Sequence, residues 1–461
     1  MADDGKKADD RKKVSYAPTD GLCYDPNEEL YWEPEALEKE IYRVFEVCHG
    51  CRMCFKYCDA FVELFRLIDD EYDGDVHGLT EGDIAQVMAS CFQCKLCEVQ
   101  CPYTPRDEHE FQLDFPRLVH RFQAQRARRE GIGLRERLMG NPPTLGKMAR
   151  ASFGIANLMN RFPPHRWLME KMVGIHRHKL LPDFASTTFE SWAAAEGRIQ
   201  IEPGCEVVLF QTCFVDNNDP DLGRDTLEVL EKNGFEVGCV RGLACCGMPA
   251  WEHGDLETVQ KHAKQNLDIL LPFVEKGAKV AVISPTCSMM LRLEYPELVA
   301  PEDRKRAEKL AEAIVDPAEL LWSIRTEDRF NTDFESKPSG QVAYHAPCHL
   351  RAQAVGFRGR DVIRKAMGVK VGTVMECCGQ DGTWSMTVHG YEPANRIGKK
   401  AFDGMEEVES KVWVSDCPLA HAHFEQNTGT RPLHPMTVLA RGYRGEPFDD
   451  DGPSEEKGVE S

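Results

Sequence analysis

Eight cysteines in two copies of one spacing constrain this chain more than anything else in it. The first loop reads Cys48-x-x-Cys51-x-x-Cys54-x-x-x-Cys58, and the second reads Cys91-x-x-Cys94-x-x-Cys97-x-x-x-Cys101-Pro102. Three thiols from one tight loop can cover one face of a tetrahedral donor set. The fourth corner must be filled from elsewhere, because the loop cannot fold back far enough. In proteins carrying this spacing twice, the fourth cysteine of each motif ligates the other cluster. The expectation is therefore two cubane [4Fe–4S] clusters. Cluster I takes Cys48, Cys51, Cys54 and Cys101, and cluster II takes Cys91, Cys94, Cys97 and Cys58. Structural zinc is the competing reading. Zinc sites pair two Cys-x-x-Cys doublets, whereas each loop here supplies a triplet plus one. Asp59 stands after Cys58, where proline is common, and 32 residues separate Cys58 from Cys91. That gap leaves room for helices between the loops.

Nineteen cysteines in 461 residues suit either a secreted disulfide scaffold or an intracellular metal binder. Met1 to Lys13 is charged and lacks the apolar stretch of a secretory signal. The cysteines are thus expected to meet a reducing cytoplasm and stay available as thiolates. No run of about 18 apolar residues is present to span a membrane. A net charge of −20 argues against nucleic acid as a partner. The charge is uneven, however: residues 116–179 carry 14 Lys/Arg against 3 Asp/Glu. Phe153, Ile155, Leu158, Met159, Trp167, Leu168 and Met172 are interleaved with those charges. Two readings stand: peripheral contact with an anionic membrane face, or helices packed between domains with their arginines in solvent.

The length suggests about three domains. Leu37, Ile41, Val44 and Phe45 recur at helical spacing before the first loop, and Phe61, Leu64, Phe65 and Ile68 follow it. Asp83 is expected to cap a short helix holding Ile84, Val87 and Met88. The basic segment reads as helical, interrupted at Pro142, Pro143, Pro163 and Pro164. Beyond it, apolar runs such as 207–210 and 280–283 alternate with helical segments such as 221–232, as in a sheet covered by helices. A repeat is visible there. Cys213, Cys245-Cys246-Gly247 and Cys287 have gaps of 31 and 40 residues; Cys348, Cys377-Cys378-Gly379 and Cys417 have gaps of 28 and 38. Cys213 and Cys417 each end an apolar strand, where α/β sheets place their ligands. The expected architecture is multidomain: a tail (1–26), a helical ferredoxin-like 2[4Fe–4S] domain (27–116), a basic helical linker (117–198), two α/β units (199–327 and 340–445) and a second tail (446–461). Both tails read as disordered.

The repeated units resemble the cysteine-rich CCG domain of the heterodisulfide reductase-related family. Tyr344-His345-Ala346-Pro347-Cys348-His349-Leu350-Arg351-Ala352-Gln353, Pro285-Thr286-Cys287 with Leu293-Glu294-Tyr295-Pro296, and His434-Pro435 carry the resemblance, which extends from about residue 21 to 442. In the family's fullest form each such domain ends in Cys-x-x-Cys and holds a noncubane cluster that reduces disulfides. Here Met290 and Ala420 occupy the fifth-thiolate positions. The resemblance with these departures implies one or two further [4Fe–4S] clusters, held by Cys213, Cys245, Cys246 and Cys287 and by Cys348, Cys377, Cys378 and Cys417. Buried thiols or vicinal disulfides are the competing reading. His345, His349 and Arg351 lie near Cys348; each histidine reads as a satisfied structural residue before a tuning one. Cys23, Cys205 and Cys239 belong to no pattern and read as incidental or as small buried residues. No Gly-x-Gly-x-x-Gly follows a strand and no P-loop is present, so no flavin or NAD site is expected. The resemblance implies an electron-transfer role within an oxidoreductase complex, with a flavin-dependent dehydrogenase as partner and quinone or another carrier downstream. A disulfide reductase acting at a CCG cluster and a zinc-stabilised scaffold are the alternatives.

Overall fold

A computed structural model describes residues 16–18, 24–56, 58–380 and 382–448. Cys23 and nearly all of both tails lie outside these residues.

The first part is helical. Helix Pro34–Cys51 turns Leu37, Ile41, Val44 and Phe45 inward, and all four are buried. They meet Phe61, Leu64 and Phe65 of helix Asp59–Arg66 and Ile68 of the π-helical turn that continues it. Helix Glu81–Ala89 closes this core with Val87 and Met88. Its N-cap is Thr80 rather than Asp83. Thr80 Oγ1 accepts from the Asp83 amide (3.2 Å) and the Asp83 carboxylate accepts from the Thr80 amide (2.9 Å). Asp83 is thus the third helical residue of a capping box, in which two orphan donors are satisfied reciprocally.

The basic segment is interrupted at its prolines, each pair starting a new helix. Pro142 opens helix Pro142–Ala151 and Pro163 opens helix Pro163–Val173, where a missing N–H costs nothing.

Two small parallel sheets follow. The first contains β1 (Val207–Phe210), β2 (Val237–Cys239), β3 (Lys279–Val282) and β4 (Ile314–Val315) in the order β2-β1-β3-β4. The second contains β5 (Val342–His345), β6 (Val371–Val374) and β7 (Val412–Ser415) in the order β6-β5-β7. In each, the first strand lies between the second and third, so the repeat seen in the cysteines is also a repeat of topology. Val207 to Phe210 are all fully buried, as a parallel strand covered on both faces must be. The two units share one core: Leu209, Leu227 and Leu230 of the first pack in the same cluster as Tyr344, Val414 and Leu439 of the second.

Candidate functional site

A parallel sheet whose strand order reverses opens a crevice at the carboxyl ends of its strands. Here Cys213 follows β1 and Cys287 follows β3, on either side of that reversal, while Cys245-Cys246 follow β2. Cys348, Cys377-Cys378 and Cys417 stand in the same relation to β5, β6 and β7. The Sγ atoms of Cys213 and Cys245 are 3.6 Å apart. Cys246 and Cys287 adjoin them, and Cys348, Cys377, Cys378 and Cys417 gather likewise.

The glycine after each cysteine pair has a structural cause. Gly247 and Gly379 adopt φ of +95° and +75°, a region that side chains rarely enter. A Cβ on Gly379 would also stand 2.0 Å from the carbonyl oxygen of Ala394. Thr212, immediately before Cys213, holds φ at +67° despite being β-branched, a strain of the kind concentrated at functional sites. Arg52, Gln93 and Lys95 take positive φ inside the ferredoxin-type loops, bending each loop around its thiols.

The thiols of Cys54, Cys101 and Cys51 surround Cys48. Those of Cys94, Cys91 and Cys58 surround Cys97. Cys101 thus stands with the thiols of the first loop and Cys58 with those of the second, while Cys54 lies next to both groups. Burial first, then neighbouring thiols, pushes the Cys48 and Cys97 pKa values well above that of an ordinary thiol. The same causes lift Cys54 to about 12. In the first α/β unit contact with Cys245 raises the Cys213 pKa, while contacts with Cys213 and Cys246 lower that of Cys245. Such crowding opposes four thiolates together unless a cation neutralises them, and a coordinating metal deprotonates its thiols outright. The all-thiol donor sets fit iron–sulfur clusters.

The groups form a series that differs from chain order. Cys54 adjoins Cys97, and its Sγ lies 3.7 Å from the Cys97 carbonyl oxygen. Cys58 adjoins Cys377, and Cys94 adjoins Cys377 and Cys348. Thr286, the residue before Cys287, in turn lies 2.9 Å from the ring of His349, the residue after Cys348. The order is thus first loop, second loop, second α/β unit, first α/β unit. An apolar jacket of Phe92, Leu96, Trp384 and Ile397 encloses the junction of the second and third groups.

Histidines fasten this series. His349 Nε2 lies 2.9 Å from the Gln93 carbonyl oxygen, and its Nδ1 lies 2.9 Å from Thr286 Oγ1. A carbonyl only accepts, so Nε2 carries the proton and Thr286 donates to Nδ1. Burial lowers the His349 pKa to about 4 and keeps the ring neutral. One side chain next to Cys348 thus ties the loop between Cys91 and Cys94 to the residue before Cys287. His345 works within one unit, with Nε2 on the Glu376 carbonyl (3.1 Å) and Nδ1 by Ser415 Oγ (3.1 Å). Both are satisfied histidines, as expected.

Sequence reasoning missed the buried ion pair of Lys95 and Glu294. Burial opposes the charge on Lys95, but the Glu294 carboxylate raises its pKa; burial likewise opposes ionisation of Glu294, but Lys95 and Arg117 lower its pKa. The pair bolts the second loop to the first α/β unit. A lysine between two cysteines is the one signal that could have marked it. Met290 is fully buried in the cluster containing Cys245, Cys246 and Cys287. Cys239 is buried on β2 and Cys205 is half-buried beside Gly238.

Known proteins resemble this chain over both kinds of cysteine-rich segment. A model described as a 4Fe-4S dicluster domain matches residues 47–104, and one described as a cysteine-rich (CCG) domain matches 207–292 and 342–425. The C subunit of anaerobic glycerol-3-phosphate dehydrogenase from Escherichia coli K12 is 29% identical over 314 residues, 67% of this chain and 77% of that protein. Lactate utilization protein A of Bacillus pumilus is 32% identical over 187 residues, 39% of this chain and 75% of that protein. The B subunit of fumarate reductase (CoM/CoB) from Methanothermobacter marburgensis is 27% identical over 242 residues, 51% of this chain and 45% of that protein.

Proposed function

The chain belongs to the heterodisulfide reductase-related family of CCG-domain iron–sulfur proteins, and we propose that within it this protein relays single electrons between a flavin-dependent dehydrogenase and quinone or another carrier. Cys48, Cys51, Cys54 and Cys101 hold one [4Fe–4S] cluster, and Cys91, Cys94, Cys97 and Cys58 hold the other. Cys213, Cys245, Cys246 and Cys287, and Cys348, Cys377, Cys378 and Cys417, hold further clusters. The domains carry the bounds 27–116, 117–198, 199–327 and 340–445. The unbroken series of thiol groups is the observation that carries this reading. Single electrons pass between centres only over short distances, and here each group adjoins the next. Two of the relatives are by name parts of a dehydrogenase and a reductase, which supports a partner of that class.

No helix among the described residues is long and apolar enough to cross a membrane. The basic segment instead exposes Phe153, Leu158 and Met172, which supports peripheral attachment at the cytoplasmic face of a membrane.

Anaerobic purification should give a brown protein with at least about eight irons per chain, four for each cubane. Cys101→Ser and Cys58→Ser should each disturb the spin-resonance signal of a different cluster. Stoichiometric zinc with negligible iron would remove the proposal.

A further inference from the structure

We infer that the seam between the end of the first cysteine loop and the second α/β unit is a docking port for an acidic one-electron carrier protein; this rests on the relay reading above. A cavity of about 170 Å³ opens there, between Phe55, Lys56, Asp59 and Val62 on one side and helix Tyr391–Glu407 on the other. Cys58 and Cys377, both half-buried, line it. These two cysteines belong to the neighbouring thiol groups in the middle of the series, so a partner seated here reaches the relay at its waist rather than at an end.

The surface around the cavity has the composition of a transient redox contact. Phe55, Val62 and Met375 are 57%, 51% and 52% exposed, an apolar centre that the described residues leave open to solvent. Lys56, Arg351, Arg396 and Lys400 form the rim. Among the lining residues only Asp59 and Glu376 oppose them, and Asp59 is already engaged by Arg396. In a chain of net charge −20 this local excess of positive charge runs against the molecule as a whole. A negatively charged carrier is repelled by most of the surface and drawn to this part of it. Complementarity of that kind governs encounter rate and orientation more than final affinity.

Size decides between a protein and a small molecule. Cavities that enclose a small organic ligand hold about 300–1,000 Å³, well above the volume found here. Electron-transfer encounters between proteins bury less than about 1,200 Å², and an apolar centre with a basic rim is enough for that. The exchange moves one electron between the carrier's centre and the chain, with no bond made or broken and no proton transferred. Whichever partner has the lower potential is oxidised and the other is reduced.

A plant-type [2Fe–2S] ferredoxin, acidic and available in quantity, serves as the probe against the full-length anaerobic protein. The reading is equilibrium binding, alongside the rate at which the reduced probe is oxidised. The parent chain should bind the ferredoxin at low ionic strength and lose it as salt rises. Lys56→Glu combined with Lys400→Glu should weaken binding at least about tenfold. Both side chains are exposed, so iron content and visible absorption should stay at parental values. Equal affinity of the double variant and the parent would overturn the port, as would absence of binding to the parent or equal binding of a basic cytochrome. Loss of adhesion to anionic vesicles by the double variant with unchanged ferredoxin affinity would make the seam a lipid contact, and would overturn it too. Reduction by methyl viologen separates this proposal from its premise. If viologen reduces the parent's clusters but the double substitution leaves ferredoxin binding untouched, the port alone fails. If viologen reduces no cluster in the parent, the relay reading fails.

Discussion

At the scale of single residues, His349 does the most with one side chain. Its two ring nitrogens are both committed, to the Gln93 carbonyl and the Thr286 hydroxyl, and the peptide on its N-terminal side leads to Cys348. Three of the four thiol groups are therefore registered against one imidazole. Replacing it with phenylalanine keeps the bulk but leaves a buried carbonyl and a buried hydroxyl without their partner. Each such orphan costs about 1–3 kcal/mol, so with two of them His349→Phe should lower stability by about 2–6 kcal/mol. A merely structural loss would stop there. The loss expected here also moves the reduction midpoints of the centres at Cys94 and Cys287 and leaves that of the Cys48 centre in place, as read by redox titration under spin resonance. Uniform or absent shifts would reduce His349 to packing. None of this was legible in the sequence. His349 and Gln93 are 256 positions apart, and a histidine beside a cysteine looks the same whether it bridges loops or fills a core.

At the scale of elements, what could be read and what could not divide along the same line. The strands were readable because runs such as Val207 to Phe210 are apolar on both faces and end at a cysteine. The cysteine repeat was readable because each loop must return to the same edge of its sheet. Asp83 was assigned the wrong end of a real capping interaction, since Thr80 and Asp83 are both good caps and local pattern does not rank them. The contact between helix Met248–Glu252 and residues 382–383 left no sequence signal at all. There Glu252 accepts from Thr383 Oγ1 at 2.7 Å, and burial, against the pull of Thr383 and the backbone of Gly382, lifts its pKa from 4.5 to about 7. Between those values the folded chain holds a proton that the unfolded chain has released. The group's stabilising effect is complete below about pH 4.5 and lost as pH rises through 7. Glu252→Gln removes that dependence. Relative to the parent, the variant should gain up to about 3 kcal/mol between pH 5 and pH 8, measured from urea midpoints at the two pH values. A pH-independent difference would mean that the carboxyl ionises normally despite its burial.

At the scale of the whole molecule, the series of thiol groups and the surface of the basic segment pose the same question, namely what lies at each end of the relay. Chain order suggested two clusters followed by two further units, but in space Cys94 of the second loop neighbours Cys348 and Cys377 of the last unit, while Lys95 of the same loop pairs with Glu294 of the first. Long-range packing sets that placement, so no local pattern could give it. The basic segment was legible in charge but not in exposure. Of the 17 large apolar side chains exposed among the described residues, 10 fall between Leu134 and Leu180. Phe153 is 96% exposed and Met172 is 76% exposed. Such a concentration exceeds the scatter of single apolar residues normal for a soluble surface. The overlapping segment 116–179 carries 14 Lys/Arg against 3 Asp/Glu, and each basic residue near an anionic leaflet adds about 1 kcal/mol of attraction. Several of these arginines are already paired, Arg161 with Asp183 and Arg177 with Glu170, so apolar insertion must carry a large share of any adhesion. The protein should float with anionic vesicles at low salt, partly detach as salt rises, and bind neutral vesicles weakly. Phe153→Asp with Met172→Asp should reduce vesicle binding at least about tenfold, while changing stability by no more than about 0.5 kcal/mol per site, because both side chains already face solvent. A parent chain that stays at the bottom of the gradient with anionic vesicles at low salt would exclude the membrane face. The exposed helices would then need a protein to cover them.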